Sequence, residues 1–186
     1  MTSDLQARWQ AVCDSIGTDY GPNPTAQGAD AIEPGGIRRY LESLEFDCAL
    51  HFDCDAARSA GHTDIIAPYT SVQTFSLPPI WVPGEEAYSD PGRDSVPAAK
   101  RLPTPFVPGA PPTSAWFAAS LDADYVRPPR IGDRLSRRGM KLLSCAPKRT
   151  KVGEGAFLCF ESEIIDLEQQ VVAVIRITYF VYEPVK

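Results

Sequence analysis

Residues 45–68, EFDCALHFDCDAARSAGHTDIIAP, hold both histidines of the chain, His51 and His62, together with Asp47, Asp53, Asp55, Asp64, Cys48 and Cys54. This density of groups able to hold a proton or a metal makes the stretch the candidate site. Four chemistries can be weighed. Zinc ligation by Cys48, His51 and Cys54 has a spacing outside the standard ligand patterns, and no second Cys/His pair completes a tetrahedron. A Cys–His nucleophile pair needs its partners to meet only in space, but nothing marks a nucleophile elbow or a helix-terminal cysteine. A carboxylate–imidazole pair, Asp47 with His51, suits acid/base work: both groups move protons near neutral pH, and four residues apart they share one helical face or loop. Lastly, both histidines can be ordinary polar residues that cap helices or bond backbone. On the residues alone that reading is favoured, because clustered titratable groups mark a site only statistically. No GxGxxG, GxxxxGK[ST] or GxSxG occurs, so dinucleotide, P-loop and serine-hydrolase readings lack support.

The elements that must carry this stretch follow from periodicity. Trp9, Val12 and Ile16 recur at helical spacing and predict a helix over 5–17 that Gly17 ends. Ile37, Leu41 and Leu44 predict an amphipathic helix over 37–44. Asp53 is a candidate N-cap for a helix over about 53–60, with Gly61 its stop. Pro68 suits the first turn of a further helix running to about Leu77. Residues 78–112 then hold ten of the eighteen prolines, so regular structure cannot persist there. The apolar Ile80, Trp81, Val82, Phe106 and Val107 give this segment something to pack with, and it reads as a flap over the domain or a partner. Strands are predicted over 115–126, 134–146, 155–167 and 170–183. In the last, Val171, Ala173, Ile175, Ile177, Tyr179 and Val181 share one apolar face, which fits a sheet with a helix on one side. Helices followed by antiparallel strands make the class α+β.

Composition bounds the function. A chain of 186 residues with 44% hydrophobic and 23% charged content is an ordinary globular protein of one domain. No apolar run approaches the ~18 residues of a membrane span. The N-terminal stretch has neither a basic start nor an apolar core, so no secretory signal is expected. Five cysteines without a CxxC pair predict reduced thiols and a cytoplasmic location. A net charge of −6 speaks against nucleic acid as a partner. Yet residues 127–151 carry nine of the eighteen bases and one acid, Asp133. This stretch is either an anion site or a solvated strand face.

Two segments give the chain a family resemblance. IRRYLESLEFDCALHFDCDAARSAGHTDIIAPYT (37–70) resembles the MaoC-like enoyl-CoA hydratase/dehydratase pattern, most closely that of its N-terminal dehydratase-like branch: a helix, a D-x-N-P-x-H stretch, an Asp-led helix and an "(V/I)AP" entry to the central helix. LDADYVRPPRIGDRL (121–135) resembles the "R-P-x-x-x-G-D" turn before the closing strands. The resemblance covers about 30–183 and implies a single hotdog domain over 1–186, an antiparallel sheet wrapped on a long central helix at 68–77, with 78–112 as an unmatched insertion. It implies syn addition of water to a trans-2-enoyl thioester, or the reverse. The motif's Asp and His would hold one water, and backbone N–H groups at the start of the central helix (Ala67, Tyr69) would polarise the thioester carbonyl. His51 matches the family His. The family Asp position is Phe46, the Asn falls on Cys48 and the Pro on Ala49; Asp47 sits one residue from the acidic position.

Three functions are compatible. The chain is a hydratase or dehydratase whose dyad is His51 and Asp47, acting as a hotdog dimer. Or it is a non-catalytic MaoC-like subunit that forms the acyl pocket of a heteromeric hydratase. Or it is an acyl-thioester-binding or thioesterase hotdog. All three take a CoA or phosphopantetheine thioester, need no other cofactor and no metal, and expect a second hotdog subunit. Arg127, Arg130 and Arg134 are then the expected contacts to the substrate's phosphates or to an acidic carrier.

Overall fold

The computed structural model describes residues 2–22, 25, 27–79, 81–84 and 107–185. Helices α1 (Thr2–Arg8) and α2 (Gln10–Asp14) open the chain, with α3 (Pro34–Glu42), a 3-10 turn (Ala49–His51) and α4 (Cys54–Ser59) after them. A second 3-10 turn (Tyr69–Ser71) runs directly into α5 (Val72–Phe75). Four strands follow: β1 (Ala115–Tyr125), β2 (Ser136–Arg149), β3 (Gly153–Ile165) and β4 (Val171–Pro184). They form one antiparallel sheet in the order β1-β4-β3-β2. The class is α+β, and all four strands lie where the alternation of side chains placed them.

The helices differ more. The predicted 5–17 helix is two pieces, because Trp9 leaves helical geometry (φ −96°, ψ 3°). The central helix is shorter than the resemblance implied. The Ser71 N–H (2.9 Å) and hydroxyl (2.6 Å) both donate to the Pro68 carbonyl and form a 3-10 turn. Residues 72–77, VQTFSL, are rich in β-branched and hydroxyl side chains, which are weak helix formers, and Pro78-Pro79 forbid continuation. Of the 78–112 segment, residues 80 and 85–106 lie outside the described residues, and with them most of the proposed flap. Its C-terminal end does pack: Val107 is fully buried against Trp9 and Leu142.

Two apolar clusters attach the helices to one face of the sheet. Ile37 and Leu41 of α3, with Ile65, Ala67 and Val72, pack on Val172, Ala173, Ile175 and Ile177. Leu5, Trp9 and Val12 pack on Leu142, Leu158 and Phe160. Tyr179 touches both clusters. The outer edge of β2 is covered by the N-terminal segment, through Leu142 N to Thr18 O (2.9 Å) and Gly28 N to Leu135 O (2.9 Å). Gly28 is required there, since a Cβ would stand 2.2 Å from the Leu135 oxygen. No described segment pairs with the outer edge of β1, which exposes Trp116, Phe117, Leu121 and Tyr125.

The turn from β1 to β2 is held from inside. Arg127 donates from Nη1 and Nη2 to Asp133 (2.6 and 3.2 Å) and from Nη2 to Asp166 (2.8 Å), at the end of β3. These side chains are only 20%, 15% and 9% exposed. Burial pushes the Asp166 carboxyl up, but the Arg127 hydrogen bond, the Gln170 N–H and the Arg127 charge outweigh it and hold the group below the ordinary carboxylate range. Removing one partner strands the others in a dry site, so Arg127→Met should cost about 3–5 kcal/mol in denaturant unfolding. A folded-state pKa below the unfolded value of about 3.9 means that the Asp166 contribution is present above that pH and is lost as pH falls through the folded value. The denaturation midpoint should therefore drop more between pH 5 and 2 in the wild type than in Asp166→Asn; parallel profiles would contradict the ion pair.

Candidate functional site

The site is built outward from the end of α3. Glu45 takes a left-handed conformation (φ 49°), and the Phe46 N–H caps the helix on Leu41 O (3.3 Å). The chain reverses there and enters the 3-10 turn through His51 N to Cys48 O (3.1 Å). Asp53 then caps α4, its Oδ1 accepting from the N–H groups of Asp55 (2.8 Å) and Ala56 (3.1 Å). His51 is thereby fixed between two helices, and it is only 7% exposed.

Its ring is oriented by one hydrogen bond. Nδ1 lies 2.8 Å from the Ile66 carbonyl oxygen. A carbonyl can only accept, so Nδ1 carries the proton and Nε2 presents a lone pair when the ring is neutral. Such an imidazole can take a proton from a water at Nε2 and return it. Ile66 is itself held: it bridges to Arg130, and the next N–H, of Ala67, donates to Pro129 O (2.9 Å).

Among the described residues no carboxylate hydrogen-bonds His51. Asp47 is exposed and forms neither a hydrogen bond nor an ion pair with it. Phe46 lies against the imidazole instead, ring centroids 5.8 Å apart. His62 follows the end of α4, its N–H donating to Ala57 O (3.0 Å). The Cys54 thiol donates to Asp64 Oδ1 (3.1 Å). That bond, with desolvation, pushes the thiol up and away from the thiolate a nucleophile needs. Among the described residues no three His, Cys, Asp or Glu side chains converge as a metal site would require.

The remaining expected contacts are spread along the neighbouring turns. The Ala67 N–H is occupied by Pro129, while the Tyr69 N–H, first of its turn, has no acceptor among the described residues. Arg127 is engaged by Asp133 and Asp166. Arg134 donates to the Gly28 (3.0 Å) and Ala29 (2.9 Å) carbonyls. Arg130 is exposed, and among the described residues its guanidinium bonds nothing. Of the three arginines expected to contact substrate, Arg127 and Arg134 are thus engaged within the fold, and Arg130, on the turn next to Ile66, is the available one among the described residues.

A cavity of about 300 Å³ lies between the end of α5 and the inner face of the sheet. Trp116, Phe160 and Ile177 supply apolar wall, and Gln73, Arg137 and Tyr179 its polar groups. Sequence reasoning did not assign this cavity. The available signal was Arg137, a charge at an inward-facing β2 position paired with Ile164.

The model of the FAS1-like dehydratase domain region matches residues 18–175 of the chain. The chain belongs to this family, which places it among the MaoC-like hotdog proteins. Solved structures agree on the fold. The ChsH1–ChsH2 complex from Mycobacterium tuberculosis has a chain similar to this one at a TM-score of 0.65 and 18% identity, over 100% of this chain and 95% of that one. A MaoC-like dehydratase from Rhodospirillum rubrum matches at 0.55 and 17%, over 92% and 94%. The truncated HadBC (3R-hydroxyacyl-ACP dehydratase) complex from Mycobacterium tuberculosis matches at 0.52 and 14%, over 89% and 99%. No curated protein matches the chain. By the spacing of the D-x-N-P-x-H pattern alone, His51 falls at the histidine and Phe46 at the acid.

The tautomer is directly measurable. In ¹⁵N-resolved NMR of the neutral His51 ring, Nδ1 should carry the proton and Nε2 should not; a protonated Nε2 would remove His51 as a base toward a water on that side.

Proposed function

We propose that this chain is the pocket-forming hotdog subunit of a heteromeric enoyl-thioester hydratase, or 3-hydroxyacyl-thioester dehydratase, whose complete acid/base dyad is carried by a second hotdog chain. One observation carries the choice between catalytic and supporting subunit: the Phe46 ring lies against His51 where the family motif has its carboxylate, and Asp47 does not reach the imidazole. Hydration needs a base to take a proton from water and an acid to deliver one to the carbon α to the thioester. It also needs donors for the oxygen that gathers negative charge. His51 with a bare Nε2 offers half of the proton relay. The Tyr69 N–H is the candidate donor to the thioester oxygen. Arg130 is the candidate contact for the phosphates of CoA or of a phosphopantetheine carrier. The reaction calls for no metal and no nucleotide beyond the thioester itself.

Two further features favour a second chain. The β1 edge, which no described segment pairs with, is the kind of apolar edge that proteins keep covered. Two of the similar solved structures, ChsH1–ChsH2 and HadBC, are complexes by name. A homodimer that hydrates through His51 and Asp47 is the competing reading. It rests on the presence of His51 in the motif.

The readings separate by assay. The purified chain alone should hydrate trans-2-enoyl-CoA esters about 10²- to 10⁴-fold more slowly than a dyad-bearing hotdog, the usual worth of a positioned acid/base group. Phe46→Asp should raise that residual rate, and His51→Ala should remove the gain. Full activity of the wild type, lost in both His51→Ala and Asp47→Ala, would overturn the subunit reading in favour of the self-sufficient hydratase.

A further inference from the structure

Arg137 sits on the inner face of β2, in register with Ile164, and lines the cavity under α5. Its Nη2 has neither solvent contact nor a hydrogen-bond partner. Among the described residues no carboxylate pairs with it, whereas Arg127, Arg138 and Arg176 all have acidic partners. Burial lowers the Arg137 pKa, and the neighbouring Tyr179 hydroxyl offsets only part of that. The cavity holds a second unsatisfied group, the buried Oε1 of Gln73. An amide can present either its oxygen or its NH2 by a half-turn. Trp116, Phe160, Ile175 and Ile177 give apolar wall, and the Ser162 hydroxyl on that wall is already bonded to Gly139 O. A guanidinium that has only the Tyr179 hydroxyl beside it and keeps a buried Nη2 without a partner is costly to the fold, and such a cation is normally compensated by an anion.

We propose that the acyl group received by this chain ends in a carboxylate, which Arg137 takes within the cavity, with the Tyr179 hydroxyl and the Gln73 amide as further partners. This assignment rests on the thioester reading above and narrows its substrate class. The cavity of about 300 Å³ accommodates roughly ten water-sized groups at ~30 Å³ each, enough for a medium-length chain and its terminal carboxylate. The apolar walls would bind the methylenes, and the guanidinium would reject an acyl chain that ends in a methyl group, because that chain leaves the charge unpaired.

Calorimetric titration of the full chain with octanoyl-CoA, suberoyl-CoA and free suberate tests the assignment. Suberoyl-CoA should bind at least about ten-fold more tightly than octanoyl-CoA, the scale of one charge-assisted pair. In Arg137→Met the two esters should converge. The melting temperature of that variant without ligand should rise, whereas loss of a merely structural arginine would lower it. Should Arg137→Met fail to fold, Gln73→Leu should narrow the preference in the same direction. Octanoyl-CoA binding as tightly as suberoyl-CoA, or more so, would overturn the carboxylate assignment and leave the thioester reading standing. Suberate binding lost in Arg137→Met, with neither ester bound, would keep the anion site and sink the thioester reading. No saturable binding of any of the three would overturn both.

Discussion

The Arg127 guanidinium reaches two carboxylates at once, and the geometry of the site depends on that fork. Asp133 fixes the turn between β1 and β2, and Asp166 fixes the end of β3. The turn in turn offers Pro129 O to the Ala67 N–H and bridges Arg130 to Ile66. Ile66 O is the acceptor that sets the His51 tautomer. A chain of short contacts thus runs from a buried ion pair to the nitrogen that would face a substrate. The arginine of the R-P-x-x-x-G-D pattern is accordingly held as an anchor of this turn by Asp133 and Asp166. The available cation of that turn is its exposed neighbour Arg130.

The chemistry follows from what surrounds the imidazole and what does not. A base paired with a carboxylate can pass protons in both directions across a double bond. A base packed against Phe46 has only backbone to assist it. The cavity under α5 shows the complementary imbalance: apolar walls, a short central helix that leaves space above the sheet, and a cation without an anion. These are the features on which the proposed role rests, a chain that holds the acyl group while another chain supplies the acid.

Much of the fold was legible in the residues. The alternation of Ala173, Ile175, Ile177, Tyr179 and Val181 set β4 and its buried face, and the Asp53 cap and Gly61 stop set α4. The N-terminal helix was less legible, since its spacing could not show that Trp9 breaks it. The central helix came out shorter than the resemblance implied, because VQTFSL is a weak helix former and the turn before it, closed by Ser71 N to Pro68 O, is 3-10. At the site, His51 was legible from the motif, and so was Phe46 in the place of the acid. The separation of Asp47 from His51 was not, because it depends on how Glu45 turns the chain. Nor was the division of the basic stretch: nine bases in 127–151 look alike in sequence. Only the register of β2 sends Arg137 inward, and only the opposing carboxylates take Arg127 out of play.

The central claim is that acyl groups enter the space between α5 and the sheet. A medium-chain acyl-CoA that ends in a carboxylate and carries a photoactivatable diazirine near that end would test this directly, with crosslinked peptides mapped by mass spectrometry. Saturable labelling on Gln73, Phe160, Ser162 or Ile177, displaced by unlabelled ester, is the predicted result. Labelling confined to residues 46–52, or no displaceable labelling in a folded chain, would contradict it.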